Sequence, residues 1–498
     1  MQIGFIALRS KRLAAPIAVA SSLGIAVTSS PEEWSRFRGP NGSGVATAES
    51  LPLRFGPTEN LIWKVPVPPG HSSPVLTEDS VFLTAARGES LLTLRLNRSN
   101  GQVIWEKEAP RDRSDPVDKR NSPASPSPVT DGEAVYVFFP DFGLLSYQLD
   151  GRERWRLPLG PFNNLYGMGA SPILVGNLVV LVCDQNTNSF ILAVDKHDGR
   201  VQWKTPRPEA KSGHSTPVVY RADDGQEQLI VPGSFYLTAY AAETGEKIWW
   251  AKGLSFEMKS TPVLYRGTAF IHGFGFPENQ PGSRIEVPSI EETFGRDGNA
   301  DGRLSPEELP DDRSRSRLAF IDLNGDGGVT PEEWSYYRDA MDSQNGLLAI
   351  RLGGRGDVSK SAVRWTYHKA IPQLPSPLVY RGILYMVDDG GRVTSLEASS
   401  GKVIQQGRLQ GAIDRFFASP VAADGKIFMV SESGKVAVLP PGGSLEVMAV
   451  NDLGENCYAT PAISNGQIYI RTSEALYCFG NPTRPQATPG RGSQSPKR

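Results

Sequence analysis

Cysteine is scarce in this sequence, which has three in 498 residues. An odd number leaves at least one thiol unpaired, and Cys183 is the first of the three, so a leader of the lipoprotein type is not expected. Cys457 and Cys478 fall at opposite ends of one predicted repeat, farther apart than the roughly 7 Å between α-carbons that a disulfide allows. We therefore expect no disulfide.

A charge excess is also missing, because 52 basic residues stand against 54 acidic ones. Such a balance gives no broad positive field to attract nucleic acid, and we predict no nucleic-acid partner.

Near the amino terminus, the apolar run at residues 13–27 is too short to span a membrane comfortably, and it follows Arg9, Lys11 and Arg12. This order is typical of a secretory signal. We predict a signal peptide at residues 1–30, with an uncleaved anchor as the alternative. The protein is then expected to be monomeric, periplasmic or extracellular, and without a stable membrane anchor.

A repeat dominates the rest of the sequence. Most successive copies lie roughly 41 to 45 residues apart, which is the spacing of four-stranded propeller blades. Each copy opens on a Ser-Pro or Thr-Pro step, with the hydroxyl residue at Ser73, Ser127, Ser171, Thr216, Thr261, Ser376, Ser419 or Thr460. The proline fits the first residue of a strand, where its missing N–H costs no ladder bond.

The third repeat shows the pattern within a blade, with strands predicted at residues 171–175, 178–183, 190–195 and 201–204. The last turn of most repeats has a glycine suited to positive φ, followed by a tryptophan that we predict fills the space between blades. These residues are Gly101, Gly151, Gly199, Gly245 and Gly401, with Trp105, Trp155, Trp203, Trp249 and Trp365.

The eighth repeat stops after three strands, so residues 61–67, with Trp63 in the outer position, are predicted to close the ring. The predicted fold is all-β: an eight-bladed propeller of four-stranded antiparallel blades over residues 31–275 and 345–480. Residues 481–498, rich in Pro, Gly and Ser, are predicted to be a disordered tail.

The Ser/Thr-Pro openings and turns such as Glu243–Trp249 and Lys196–Trp203 resemble the pyrroloquinoline-quinone (PQQ)-like propeller repeat. The stretch Trp34–Gly42 also resembles the leader of secreted bacterial members. The resemblance implies either a non-enzymatic scaffold, like the one in bacterial outer-membrane assembly, or a quinoprotein dehydrogenase that holds PQQ beside calcium. Such dehydrogenases commonly have adjacent cysteines, which this chain lacks.

Residues 276–344 interrupt the fifth repeat with two EF-hand loops, at residues 297–308 and 322–333. A hard cation takes oxygens from loop positions 1, 3, 5, 7, 9 and 12, with a glycine at position 6, here Gly302 and Gly327. The predicted ligands of two calcium ions are Asp297, Asn299, Asp301, Arg303, Ser305 and Glu308 in the first loop, and Asp322, Asn324, Asp326, Gly328, Thr330 and Glu333 in the second.

Apolar residues flank the second loop at helical spacing, whereas Thr293, Arg296 and Pro310 depart from the pattern around the first. Leu304 and Val329, at the eighth loop positions, are predicted to pair. The alternative for the first loop is a degenerate hand. By strand order, the insert is expected on the same face as the loops before each Ser/Thr-Pro step.

Residues just before those steps are predicted to line a central funnel: His71, Asn121, Tyr166, Met168, His214, Lys259, Arg415, Phe416 and Tyr458. The two histidines could form a metal or acid/base pair across the pore, or only satisfy equivalent turns. The sequence identifies no catalytic residue and no PQQ-binding set. It favours a calcium-binding scaffold with a protein or carbohydrate ligand at the pore face over a PQQ-dependent alcohol or sugar dehydrogenase, or a hydrolase or lyase.

Overall fold

A computed structural model describes residue 1 and residues 34–48, 50–283 and 285–481. The predicted signal peptide, apart from Met1, and nearly all of the predicted tail lie outside the described residues. In the described part the strands form eight sheets, seven of four strands and one of five. This confirms the eight-bladed propeller. No helix in those ranges has the length and apolar character needed to cross a membrane.

Every blade is a meander of neighbouring strands. The first four blades contain β2 (Val75–Leu76), β3 (Ser80–Arg87), β4 (Ser90–Asn97) and β5 (Val103–Ala109); β6 (Val129–Thr130), β7 (Ala134–Phe139), β8 (Gly143–Gln148) and β9 (Glu153–Pro158); β10 (Ile173–Val175), β11 (Leu178–Cys183), β12 (Phe190–Asp195) and β13 (Val201–Pro206); β14 (Val218–Arg221), β15 (Glu227–Gly233), β16 (Tyr236–Ala241) and β17 (Lys247–Lys252).

The remaining blades complete the ring. They contain β18 (Val263–Tyr265), β19 (Thr268–Gly273), β20 (Gly346–Arg351) and β22 (Val363–Tyr367); β23 (Leu378–Tyr380), β24 (Ile383–Val387), β25 (Arg392–Glu397) and β26 (Val403–Arg408); β27 (Val421–Ala423), β28 (Lys426–Val430), β29 (Lys435–Leu439) and β30 (Ala449–Asp452); β31 (Ala462–Ser464), β32 (Gln467–Arg471), β33 (Ala475–Gly480) and the amino-terminal β1 (Leu61–Pro66).

The fourth blade departs from the prediction by gaining a fifth strand. Residues Gly356–Asp357 form β21, which pairs in parallel with the outer strand β17. The short helix α5 (Ser359–Ala362) follows it and returns the chain to the fifth blade. A segment of the next blade therefore covers this outer edge.

Closure through residues 61–67 is confirmed. Strand β1 pairs antiparallel with β33, and Trp63 lies opposite Cys478. The Trp63 indole donates to the carbonyl of Arg98 in the first blade at 3.0 Å. This strand from the opposite end of the chain becomes the outermost strand of the eighth blade and closes the ring. Cys183, Cys457 and Cys478 are free and buried.

The recurrent tryptophans lie between blades, and the turn glycines have a second role beyond positive φ. A Cβ atom on Gly101 would lie 2.6 Å from the Trp63 ring, so the ring packs directly on the glycine backbone of the next blade. The pairs Trp105–Gly151, Trp155–Gly199, Trp203–Gly245 and Trp365–Gly401 repeat this contact. Trp249 differs, because its indole donates to Gln228 in the same blade at 3.0 Å.

The Ser/Thr-Pro steps form a hydrogen-bonded belt around the axis. The N–H of Ser73 donates to the Ser127 hydroxyl at 2.9 Å, and equivalent bonds join most successive steps. The N–H of Thr460 donates to the Ser73 hydroxyl at 3.0 Å and joins the last blade to the first, while the Thr261 hydroxyl has no partner and leaves one gap. Each proline directly precedes its first strand, instead of being that strand's first residue as predicted.

Residues 34–46 close one end of the central channel. This segment is hydrogen-bonded to the innermost strands of the first, second, fourth and seventh blades, through Leu76, Thr130, Val219 and Ala422. Arg38 is fully buried and donates to the carbonyl of Pro377 at 2.7 Å. So short a segment reaches blades on all sides of the ring only by crossing its axis. The contacts at Leu76 and Thr130 lie at the ends of the innermost strands, opposite the loops that enter each blade, whereas Arg38 reaches along the axis to the start of such a strand.

The insert lies between β19 and β20, the second and third strands of the fifth blade. Its helices are α1 (Ile290–Phe294), α2 (Asp312–Ser316), α3 (Leu318–Ile321) and α4 (Pro331–Asp342). Capping boxes start α1, α2 and α4 at Ser289, Asp311 and Thr330. A separate core of Leu304, Ile321, Val329, Trp334, Tyr337 and Met341 holds the helices together.

Candidate functional site

The second EF-hand loop wraps its backbone around two carboxylates. The Asp322 carboxylate accepts N–H bonds from Gly325 at 2.7 Å and from Gly327 at 2.8 Å. The Glu333 carboxylate accepts from Leu323 and from Thr330, both at 2.9 Å. Asp322 and Glu333 are 8% and 6% exposed, so both charges lie inside the loop.

The first loop has the same outline with fewer bonds. Asp297 accepts from Gly302 at 2.9 Å through one carboxylate oxygen, while its other oxygen is buried without a hydrogen-bond partner. Glu308 accepts from Gly298 and Ser305, both at 2.9 Å, and these backbone donors lower its pKa. A buried carboxylate oxygen without a donor is a feature that a bound cation would explain.

The fifth loop positions do not join these carboxylates. Asp301 accepts a bond from the Asn299 amide at 2.9 Å, and Asp326 pairs with the Arg303 guanidinium of the other loop, which lowers the Asp326 pKa. In the described residues, no group of three or more acidic, His or Cys side chains converges as a metal site would require. The oxygen donors fit calcium in kind, but Asp301 and Asp326 would have to turn inward to complete the shells.

The two loops are joined as the sequence predicts. Leu304 and Val329 exchange two backbone hydrogen bonds of 2.9 Å, and both side chains are fully buried. The first hand is incomplete, because the chain forms only turns between its loop and Asp311. Pro310 explains this difference, since proline disfavours helical backbone in the residue before it.

The insert packs on the predicted face of the propeller. Asn163, in the loop that enters the third blade, donates its amide to the Leu323 carbonyl of the second EF-hand loop at 2.7 Å. Phe256, in the loop that enters the fifth blade, packs against Phe320 with ring centroids 5.0 Å apart. The Tyr336 hydroxyl lies 3.4 Å from that of Ser234 in the fourth blade. The second EF-hand loop therefore contacts a loop of the funnel directly.

A pocket of about 140 Å³ opens at the mouth of the funnel. Four predicted funnel residues line it together with five that the sequence analysis missed: Asn121, Tyr166, His214 and Lys259, with Asp118, Arg120, Gly169, Gln373 and Leu374. We call this the funnel pocket. Entry loops of several blades build it, so it forms only when the ring is closed.

Three further predicted residues gather elsewhere on the same face. The Tyr458 ring stacks on His71 with centroids 4.4 Å apart, and Phe417 lies 5.5 Å from Tyr458. Arg415 lies over Phe417 and pairs with Glu432 at 2.7 Å. We call His71, Arg415, Phe417 and Tyr458 the aromatic–arginine cluster.

Met168 and Phe416 do not line the mouth, because both are buried in the cores between blades, each 1% exposed. The residues that follow them, Gly169 and Phe417, lie at the mouth instead. Both stand two positions before a Ser/Thr-Pro step, as His71, His214, Lys259, Leu374 and Tyr458 do. Repeat register was therefore the signal that would have placed them correctly.

The two histidines serve separate parts of the mouth. The backbone N–H of His71 donates to Ala124 at 3.2 Å and that of His214 to Met258 at 2.8 Å, as expected of equivalent turns. Burial lowers the pKa of each ring to about 4. Both are neutral near pH 7, and their rings contact different tyrosines, Tyr458 and Tyr166.

Comparison with known proteins identifies the propeller. A family model described as outer membrane protein assembly factor BamB matches residues 56–167, 150–274 and 341–483. The chain belongs to this family. A second model, described as EF hand, matches residues 316–335, around α3 and the second loop.

Two BamB proteins show the extent of the likeness. That of Shewanella oneidensis is 23% identical over 280 residues, which cover 51% of this chain and 67% of the relative. That of Salmonella typhimurium is 26% identical over 100 residues, 20% of this chain and 24% of the relative.

Solved structures share the fold at low identity. The crystal structure of BamB from Moraxella catarrhalis aligns with a TM-score of 0.53 and 11% identity over 85% of this chain and 99% of that one. A europium-containing methanol dehydrogenase aligns with a TM-score of 0.57 and 10% identity over 91% and 98%. A protein named as an assembly factor and one named as a dehydrogenase match about equally well, so function has to be argued from the site.

Proposed function

We propose that this protein is an exported, calcium-binding propeller that acts as a non-enzymatic scaffold and holds a protein partner on its funnel face. The observation that carries the proposal is the aromatic–arginine cluster beside a mouth already covered in part by the insert. Arg, Tyr and Phe are the residue types enriched at the energetic centres of protein interfaces. Relatives named for outer membrane protein assembly support a partner in the cell envelope.

Calcium would bind the loops at residues 297–308 and 322–333 and stiffen the insert, taken as residues 276–344. Envelope and extracellular calcium sites with dissociation constants of about 10⁻⁴ to 10⁻³ M remain loaded at millimolar calcium. The hydrogen bond from Asn163 to Leu323 would then also hold the funnel loop that contains Asn163 in place. The signal peptide at residues 1–30, the tail at 481–498 and the monomeric state are parts of the same proposal.

The dehydrogenase alternative requires PQQ, a fused three-ring quinone with three carboxylates. The funnel pocket, at about 140 Å³, matches a cavity that holds one benzene ring, which is roughly 150 Å³. Its two cations already pair with acids of the same protein, Arg120 with Asp118 and Lys259 with Glu257. These residues do not fit the quinone, and we propose no oxidation step.

Capture from native envelopes tests the scaffold role. Immobilised protein is incubated with envelope extract in calcium or in a chelator, using the wild type, Arg415→Ala and the control Arg221→Ala, an exposed arginine of the fourth blade. We expect a partner that the wild type and the control retain in calcium and that Arg415→Ala loses. If Arg415→Ala held the partner as well as the wild type does, the cluster would not be the binding surface. If the captured molecule were a carbohydrate instead of a protein, the proposed class of ligand would be wrong.

A further inference from the structure

Two buried arginines lie on the axis of the propeller, on the side away from the mouth. Arg36 and Arg38, in the segment that crosses the axis, bind the carbonyls of Pro217 and Pro377 at 2.6 and 2.7 Å. These carbonyls end the Ser/Thr-Pro steps just before the innermost strands begin. A ligand can therefore enter only from the mouth, on the side of the insert.

The size of the pocket limits what it can hold. Its volume of about 140 Å³ is that of the engineered cavities, about 150 Å³, that accept one benzene ring. A single six-membered ring can enter this space with its substituents left in the open mouth, whereas a peptide segment or a fused ring system exceeds the space. The ligand is therefore one ring or the terminal ring of a longer molecule.

The charges around the pocket are compensated within the protein. Arg120 binds Asp118 at 2.7 Å. Lys259 pairs with Glu257, and these two side chains are only 8% and 6% exposed. The Arg120–Asp118 pair is 41% and 24% exposed, so opening it costs little. A charged ligand that engaged Lys259, however, would have to break the buried pair with Glu257 and leave one charge uncompensated, which is costly. A neutral ligand has no such cost.

Neutral hydrogen-bonding groups are left over. In the described part of the chain, neither the side-chain amide of Gln373 nor the hydroxyl of Tyr166 has a hydrogen-bond partner, and both residues line the pocket. The His214 ring is neutral near pH 7 because burial lowers its pKa to about 4. Leu374 and the Tyr166 ring add an apolar wall. This pocket therefore offers uncharged donors and acceptors beside an apolar surface.

We propose that the funnel pocket binds a single neutral sugar ring, with Gln373 and Tyr166 bonded to its hydroxyls and Leu374 against its apolar face. A hexose combines the three properties that the pocket selects: one six-membered ring, no charge, and hydroxyl groups at the edge of a less polar face. The site is separate from the calcium loops and from the aromatic–arginine cluster. If no sugar binds, the proposed scaffold function is therefore not contradicted.

Calorimetric titration of the full chain tests the site with glucose, galactose and N-acetylglucosamine, against the charged sugars glucuronate and glucosamine. We expect a millimolar dissociation constant for at least one neutral sugar, as is usual for so small a ligand. Gln373→Leu and Tyr166→Phe should each weaken that binding about fivefold, the loss expected for one neutral hydrogen bond. The matched control is Gln102→Leu, in an exposed turn of the first blade, which should bind as the wild type does.

Three outcomes overturn the proposal: no neutral sugar binds at tens of millimolar, the charged sugars bind as tightly as the neutral ones, or Gln373→Leu binds like Gln102→Leu. Circular dichroism of each variant shows that the propeller is intact. Repeating the titration in a chelator separates this site from the calcium loops, because loss of calcium should leave the Gln373→Leu effect in place.

Discussion

Replacing Asp322 with alanine tests calcium binding by the second EF-hand loop most directly. Its carboxylate accepts three backbone N–H bonds, from Gly325 at 2.7 Å, Gly327 at 2.8 Å and Asp326 at 3.2 Å, and it is 8% exposed. Hydrogen bonds to a charged group contribute roughly 1.5 to 3 kcal/mol each, and bonds that share one carboxylate are not additive. We therefore expect Asp322→Ala to destabilise the insert by about 3 kcal/mol even without calcium.

Asp297 provides an internal comparison, because its carboxylate accepts one such bond, from Gly302 at 2.9 Å. Asp297→Ala should remove one calcium ion while costing the calcium-free insert only about 1 to 2 kcal/mol. Asp322→Asn keeps an acceptor oxygen for Gly325 and Asp326 but removes the charge. It should lose calcium and keep more of the apo stability than Asp322→Ala.

Two measurements separate these effects. Calorimetric titration should count two calcium ions for the wild type and one for each alanine variant. Hydrogen exchange over residues 331–342 in a chelator should be about a hundredfold faster in Asp322→Ala, because about 1.4 kcal/mol corresponds to a factor of ten. Trp334, Tyr337 and Met341 of this helix belong to a core separate from the blades, whereas Tyr336 and Ala340 pack against Phe256. Exchange in blade strands away from this contact should therefore not change.

Either measurement can refute the reasoning. Two calcium ions of unchanged affinity in Asp322→Ala would show that this carboxylate is not a ligand. Unchanged exchange in the chelator would show that its three hydrogen bonds contribute little to holding the loop. A wild type that takes up no calcium at millimolar concentration would remove the metal from the proposed function.

Further predictions concern the ring, the loops and pH. Trp63→Ala should cost about 3 to 5 kcal/mol in urea unfolding, because it empties the contact on the first blade, whereas Ile62→Ala, 42% exposed, should cost less than about 1. Arg303→Ala should raise the calcium affinity of the second loop by about two- to fivefold in calorimetry, because it frees Asp326 from a competing cation. His272 is buried and its folded pKa is lowered to about 4, below its unfolded value of about 6.5. The unfolded state then binds more protons, so stability should fall as pH drops from about 6.5 to 4, and urea midpoints should fall less in His272→Gln.

Much of the fold was predictable because its signals are local. The strands predicted at residues 178–183 and 190–195 match β11 and β12, since alternation and turn glycines are determined by neighbouring residues. Ring closure by Trp63 followed from counting strands in the last repeat. The sequence did not predict that the hydroxyls of the Ser/Thr-Pro steps accept hydrogen bonds, because each bond joins residues of different blades, as between Ser73 and Thr460.

The candidate site was predicted less completely, for the same reason. The EF-hand ligands lie within twelve-residue loops and are named by spacing alone, although the structure turns Asp326 toward Arg303 of the other loop. Gln373 and Leu374 were missed because their neighbours at the mouth come from other blades. Phe416 was predicted in place of Phe417 because the repeat register was not applied to the mouth.

By itself the sequence determined the number of blades, the strand that closes them, the site of the insert and the kind of cation that its loops suit. These four features depend on short-range sequence patterns, which can be recognised within a single repeat or loop. Only the tertiary structure decided that residues 34–46 cross the axis, that Asn163 joins an EF-hand loop to the funnel, and that entry loops of several blades build a small pocket at the mouth. Those features arise where residues far apart in sequence meet, and no local pattern specifies which of them will face one another.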